Sequence, residues 1–146
     1  MNRYLRFISL MLVSLFSFSS LADENTKQIG EYTIHYNVFN STFLQPETAN
    51  QYGLKRSKSV ALVNITVKDT ANNKAITAQI SGKAYNLAGQ QKDLAFKEVK
   101  ETDAVYYFAN LRFADQEQLS FRLTIKPDGV DKELSLEFDK KLYMDK

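Results

Sequence analysis

The sequence predicts an all-β domain, an antiparallel immunoglobulin-like β-sandwich of about seven strands with one short helical turn. Three observations favour this fold. Segments in which apolar and polar residues alternate recur along the chain, and this alternation is typical of half-buried strands. Short polar turns separate the segments. The chain also contains 10 Phe and 8 Tyr but only 5 Gly and 2 Pro, a composition that indicates an ordered core rather than disorder.

The first predicted strand begins at Glu31 and alternates until residues 40–42 end it. Its apolar face consists of Tyr32, Ile34, Tyr36 and Val38. Residues 23–29 before it are polar, and we expect them to form a mobile lead-in. After the strand, Pro46 and Gly53 suit the first turn and the end of a short helix. We expect Tyr52 and Leu54 to hold this helical turn against the sandwich.

Six further segments have the composition of strands, namely residues 59–68, 74–85, 91–101, 104–113, 119–126 and 131–139. Gly82 indicates a bulge or a close backbone approach in the second of them. Residues 91–101 are ambiguous between strand and helix, and we favour a strand because the neighbouring segments are strands. Pro127-Asp128-Gly129 predicts a hairpin turn before the last strand.

The aromatic strand 104–113 presents side chains to both of its faces. Tyr106 and Phe108 point opposite to Tyr107 on an ideal strand. One set must therefore lie outside the core, unless a loop covers it.

Residues 1–22 predict a signal peptide that is cleaved after Ala22. Arg3 and Arg6 form the basic start, and the apolar run that follows, FISLMLVSLFSF, is shorter than the roughly 20 residues of a membrane-spanning helix. Ser20 and Ala22 are small residues at the positions that cleavage requires. We therefore expect a domain at residues 23–146, outside the cytoplasm and without a membrane span.

Charge and cysteine content exclude several classes. The chain has 19 Lys+Arg and 17 Asp+Glu, and loss of Arg3 and Arg6 with the leader leaves 17 of each. A balanced chain does not favour nucleic acid as a partner. The absence of cysteine excludes disulfides and a lipid-modified cysteine at the leader junction.

The sequence offers little for catalysis or metal binding. His35 is the only histidine, and it lies on the polar face of the first strand between Thr33 and Asn37. No G-x-S-x-G motif accompanies it. One histidine without cysteine does not build a zinc or copper site, so we expect no metal and no cofactor. The alternative function is a small periplasmic hydrolase or lyase that uses His35 as a base.

The densest positive patch consists of Lys55, Arg56 and Lys58. A contact with an acidic partner is one interpretation of this patch. A solvated loop is the more common role of exposed Lys and Arg, and we favour it.

One stretch resembles a known family. The similarity is strongest in the segment H-Y-N-x-F-N-S-T-F-L, at residues 35–44, and continues through Pro46, Tyr52-Gly53-Leu54, Arg56-Ser57-Lys58 and residues 61–65. These residues resemble the exported bacterial family known as domain of unknown function 4426. The resemblance implies a Gram-negative periplasmic location and a β-sandwich, and it implies no activity or catalytic residue. Asn40, Ser41 and Thr42 are expected to bond nearby backbone and to fix the exit of the strand.

We therefore predict a periplasmic β-sandwich, a non-enzymatic binding or interaction module of the cell envelope with an envelope protein as its partner. A third hypothesis is a module that adds a strand at an open sheet edge. The sequence leaves the ligand and the oligomeric state open. The candidate binding residues are His35, Asn37, Asn40, Tyr52, Arg56 and Lys58.

Overall fold

A computed structural model of the protein describes residues 25–146, so the predicted leader lies outside the described residues. Within this range the chain forms nine strands, one short α-helix and a single 3₁₀ turn at Ser41–Phe43. The elements are β1 (Asn25–Ile29), β2 (Tyr32–Asn40), α1 (Pro46–Tyr52), β3 (Val60–Asp69), β4 (Ala78–Asn86), β5 (Gln91–Leu94), β6 (Lys97–Lys100), β7 (Val105–Arg112), β8 (Glu117–Pro127) and β9 (Leu134–Leu142).

The strands form two antiparallel sheets that pack face to face. The first sheet has the order β1-β2-β3-β7-β6, and the second has the order β5-β4-β8-β9. Without β1, these orders match the ABED and C′CFG sheets of the immunoglobulin fold, with β2 as strand A and β9 as strand G. The predicted immunoglobulin-like sandwich is therefore confirmed, and β1 is an additional strand beside strand A.

The core between the sheets is built by alternation. Each β-strand points successive side chains to opposite faces, so a period of two places one apolar set between the sheets. On β3 every member of this set is completely buried: Ala61, Val63, Ile65 and Val67. On β8 and β9 the inward residues belong to the core or pack against it, and the rings of Phe121 and Phe138 stack with centroids 4.6 Å apart.

Two segments differ from the sequence prediction, which is why the strands number nine rather than about seven. Residues 25–29 are not a mobile lead-in, because they pair with Tyr32–Tyr36 as β1. Four of these five residues are exposed, so the strand is held by backbone hydrogen bonds and leaves no apolar pattern in the sequence. The ambiguous segment 91–101 is extended as predicted, but it divides into β5 and β6, which belong to different sheets.

The helical turn lies where the sequence placed it. Helix α1 ends at Tyr52, and Gly53 follows with a φ of 64°, a left-handed conformation that glycine adopts without strain. Residues 41–59, which we call the cover segment, pass over the outer face of the first sheet. There Leu54 is buried with Leu62, Val99 and Phe108, and Tyr52 packs against them. This outer cluster explains the aromatic strand β7, since Tyr107 faces the core and Phe108 faces the cover segment.

Two close contacts join the strands. Gly82 lies opposite Leu123 in an uninterrupted register, and a Cβ atom on Gly82 would collide with a Leu123 methyl group. This is the close backbone approach that the sequence allowed.

The buried Tyr107 hydroxyl donates to Glu98 Oε2 at 2.9 Å and accepts the backbone N–H of Ala78 at 2.8 Å, so it ties the two sheets together. Burial raises the pKa of Tyr107 to about 12.

Candidate functional site

The exit of β2 is fixed by bonds to the C-terminal end of the chain. The amide nitrogen of Asn40 donates to the backbone oxygen of Tyr143 at 2.8 Å and to Asp145 Oδ1 at 2.9 Å. The hydroxyl of Thr42 donates to the other carboxylate oxygen of Asp145. These partners lie more than 100 residues away, so Asn40 and Thr42 do not bond nearby backbone as we expected from the sequence.

The carboxylate of Asp145 is stabilised in its charged form by this arrangement. The hydrogen bonds from Thr42 and then Asn40 lower the pKa of Asp145 below its ordinary value. The ammonium group of Lys58 contributes in the same direction through its charge. The C-terminal end is therefore held by a charge-assisted polar cluster rather than by apolar packing.

The cover segment closes on itself through two further contacts. The hydroxyl of the buried Ser41 donates to the backbone oxygen of Ser57 and accepts the backbone N–H of the same residue, both at 2.9 Å. The guanidinium of Arg56 donates to the backbone oxygen of Leu44 at 2.9 Å and to that of Thr42 at 3.2 Å. The exposed Arg56 thus holds the backbone of residues 42–44 in place.

An open groove with a volume of about 620 Å³ lies beside this network, between the ends of β2 and β9. We call it the β2–β9 groove. Its lining consists of Asn37, Val38, Phe39, Asn40, Phe43, Leu44, Lys140, Lys141, Leu142 and Tyr143. Phe43 is 73% exposed and Tyr143 is 56% exposed, which is unusual for side chains of this size. Two exposed aromatic rings therefore border one groove, and the bonds around Asn40 fix the backbone that carries them.

The floor of the groove contains an open sheet edge. Strand β1, which begins at Asn25, pairs with β2 as far as Tyr36, and among residues 25–146 no strand lies beside Asn37–Asn40 on that side. The ammonium group of Lys140 donates to the backbone oxygen of Val38 at 2.7 Å and covers this edge. An inward-pointing charge on an edge strand is a known protection against unwanted strand pairing.

The remaining candidates lie on the outer face of the first sheet. His35 and Asn37 are both half-buried on β2, and Thr26 Oγ1 lies 3.1 Å from His35 Nδ1. His35 is not among the residues that line the groove, and its use as a catalytic base stays a prediction. Asn37 lies directly opposite Asn64, and the side-chain oxygen of each is buried with no hydrogen-bond partner among the residues that the structure describes.

The structure brings only some of the candidate residues together. Asn37 and Asn40 line the groove, while Arg56 and Lys58 hold the backbone and the carboxylate beside it. Tyr52 lies elsewhere, because its hydroxyl donates to Glu101 beyond β6, near the opposite edge of the sheet. That bond raises the pKa of Tyr52.

The sequence analysis missed the C-terminal contribution to this site. Lys140, Lys141 and Tyr143 were not among the candidates. A signal was present, since Lys140 falls on the inward face that Leu136 and Phe138 define, where a charge interrupts the alternation. An inward-pointing charge near the end of a strand is typical of a sheet edge that is protected against pairing with another strand.

In the part of the chain that the structure describes, no three His, Cys, Asp or Glu side chains lie together in a way that could hold a metal ion. Among the same residues, no helix is long and apolar enough to cross a membrane.

Comparison with known proteins identifies the family. The model of the family described as domain of unknown function (DUF4426) matches residues 26–145. A crystal structure of a DUF4426 family protein from Pseudomonas aeruginosa has a TM-score of 0.77 and 32% identity, and the match covers 84% of this chain and 97% of that one. No curated protein matches the sequence.

More distant structures share the fold. FetP of uropathogenic Escherichia coli, expressed recombinantly in the periplasm of that species, is 14% identical with a TM-score of 0.62, and the match covers 84% of this chain and 95% of FetP. A copper-bound variant of FetP is also 14% identical with a TM-score of 0.61, covering 82% and 95%. At this identity the likeness shows the sandwich alone. The family model and the Pseudomonas structure together show that the chain belongs to the DUF4426 family.

Proposed function

We propose that this DUF4426 protein is an exported, non-enzymatic binding module of the bacterial cell envelope, and that it contacts a protein partner through the β2–β9 groove. The observation that carries the proposal is the pair of exposed aromatic side chains that line that groove, Phe43 and Tyr143. Aromatic residues are enriched where proteins bind one another, because each buries a large area with few rotatable bonds.

The polar network supports this function by holding the two rings in place before a partner arrives. Asn40 anchors the backbone of Tyr143, and Arg56 anchors residues 42–44 around Phe43. A preorganised surface loses less conformational entropy on association, so the same contact area gives tighter binding. Asn40, Arg56 and Lys58 then act as positioning residues, and Asn37 is the candidate residue that faces the partner.

Export is proposed on the predicted leader at residues 1–22 and on the periplasmic setting in which FetP was produced. Mass spectrometry of the protein recovered from a periplasmic extract tests it. We expect a chain that begins at Asp23. A chain that keeps residues 1–22 and stays in the cytoplasm would contradict export, and with it the envelope function.

Site-specific photo-crosslinking in the living bacterium tests the binding surface. We expect p-benzoylphenylalanine at position 43 or 143 to give the same discrete adduct of defined mass. The control places the crosslinker at Leu87, which is 88% exposed and is not part of the groove lining. Identical adducts from all three positions, or no adduct at positions 43 and 143, would exclude the groove as the contact surface.

A further inference from the structure

The backbone in the groove is arranged to accept a further strand. In an antiparallel pair, alternate residues point both their N–H and C=O groups toward the same neighbour. The Val38 carbonyl points into the groove, since Lys140 reaches it at 2.7 Å, and the Val38 N–H faces the same side. An extended peptide lying along Asn37–Asn40 would continue the sheet beyond the last β1–β2 pair, which joins Asn25 and Tyr36.

The ammonium group of Lys140 occupies the carbonyl oxygen to which such a peptide would donate. A strand that donates an N–H to the Val38 carbonyl would compete with this ammonium group for the oxygen. Lys140 is half-buried, and a displaced ammonium group without a new partner is strongly unfavourable there. A carboxylate on the incoming strand supplies that partner, whereas a neutral strand leaves the charge unpaired. The exposed Lys141, whose ammonium nitrogen lies 5.6 Å from the centre of the Tyr143 ring, adds positive charge at the same rim.

We propose that the β2–β9 groove binds an extended, acidic segment of a partner protein, which adds a strand beside β2 and transfers Lys140 from the Val38 carbonyl to a carboxylate. Phe43 and Tyr143 then pack against alternate side chains of the added strand. This inference rests on the proposed binding function and specifies the chemistry of the partner.

Fluorescence anisotropy with labelled seven-residue peptides tests the inference on the chain from residue 23 to residue 146. The probe is Ac-DVEVDVE, in which acidic and apolar residues alternate. One control peptide, Ac-KVKVKVK, reverses the charge. A second control keeps the acidic sequence but carries N-methyl groups on its three valines, which removes backbone donors without changing the charge. We expect saturable binding of the acidic probe, at least about tenfold weaker binding of the methylated peptide, and none of the basic peptide.

Lys140→Met separates the two roles of Lys140, because methionine keeps the apolar stem and removes the ammonium group. We expect this variant to bind the acidic probe about tenfold less tightly. It should bind the neutral peptide Ac-SVTVSVT more tightly than the parent does, because the Val38 carbonyl is no longer occupied. Lys74→Met, in an exposed turn at the other end of the sandwich, is the matched control and should bind both peptides as the parent does.

Three results would overturn strand addition. Equal binding of the methylated peptide and the acidic probe would mean attraction by charge alone. An unchanged preference between acidic and neutral peptides in Lys140→Met, with the fold shown to be intact by circular dichroism, would exclude the role of the ammonium group. Binding that appears only when the chain begins at Asn25 instead of Asp23 would identify the chain's own start as the occupant. Crosslinked adducts at positions 43 and 143 without acidic-peptide binding would leave the binding function intact and exclude this mode alone.

Discussion

The two faces of the first sheet are buried in different ways. Among residues 25–146, the inner face packs against the second sheet in a cluster of 20 buried residues, all aliphatic or aromatic. The cluster on the outer face, under the cover segment, has four buried residues in the same range. The cover segment is held by polar contacts of Ser41 and Arg56, and its Thr42 binds the C-terminal Asp145. Buried apolar area therefore stabilises the sandwich, while directional hydrogen bonds position the surface that is proposed to bind a partner.

Phe121→Ala tests the inner face and should have the largest effect. Phe121 is 1% exposed and its ring stacks on Phe138, so its removal leaves a cavity between the sheets. We expect the free energy of unfolding to fall by about 3–5 kcal/mol, as measured by urea denaturation. A loss below about 1 kcal/mol would mean that the inter-sheet core is not the main source of stability.

Leu62→Ala tests the outer face with a residue that is also fully buried. We expect a loss of about 2 kcal/mol, at the lower end for a buried leucine, because the cover segment can settle toward the cavity. Hydrogen exchange should accelerate at residues 41–54 and stay unchanged in β8. Uniform acceleration through both sheets would show that the two faces unfold as one unit.

Tyr107→Phe removes the tie between the sheets. The variant leaves the Ala78 N–H without its acceptor, and we expect a loss of about 1–2 kcal/mol. The pH dependence follows from the raised pKa of Tyr107. Its stabilising effect is complete below the unfolded pKa of about 10 and is lost as the pH rises through the folded value of about 12. The melting temperature of the parent should therefore fall between about pH 10 and pH 12, and the variant should lack this part of the decrease.

Asp145→Asn tests the polar attachment of the C-terminal end. Since the folded pKa of Asp145 is lowered, the carboxylate stabilises the fold above its unfolded pKa of about 3.9, and this contribution disappears as the pH falls through the folded value. We expect a smaller loss at pH 7 than for Tyr107→Phe. The stabilities of variant and parent should approach each other as the pH falls from about 3.9 through the lower pKa of the folded state. A constant difference at every pH would mean that the charge of Asp145 is not involved.

Phe43→Ser should have the smallest effect on stability and a large effect on binding. Because Phe43 is 73% exposed, the free energy of unfolding should change by no more than about 0.5 kcal/mol. The crosslinked adduct formed from position 143 should nevertheless be lost. Leu87→Ser, at another exposed apolar residue, is the matched control and should keep the adduct. A stability loss above 1 kcal/mol would mean that Phe43 belongs to the fold rather than to a binding surface.

Much of the fold could be predicted because strand alternation is a local property. The inward faces of β3, β8 and β9 and the helical turn that ends at Gly53 are all visible in short windows of sequence. Strand β1 was not predictable in this way, because it contributes backbone hydrogen bonds and four exposed side chains. The division of residues 91–101 between two sheets was also hidden, since periodicity does not specify which strand lies next to which.

The candidate site was only partly accessible from sequence. Asn40, Arg56 and Lys58 were chosen because unusual polar residues concentrate near a basic cluster, and the structure does bring them to one end of the sandwich. Tyr52 was chosen on the same ground but binds Glu101 at a distant edge. Closeness along the chain does not decide which way a segment crosses a sheet, so the choice could not separate Tyr52 from the others.

The sequence by itself determined the antiparallel β class, because the alternating apolar faces of several strands must be buried against a second layer. The tertiary structure alone decided what the groove contains. Residues 140–145 reach Val38, Asn40 and Thr42 across more than 100 residues of chain, and such distant contacts arise only when strands A and G of the sandwich meet at the same edge.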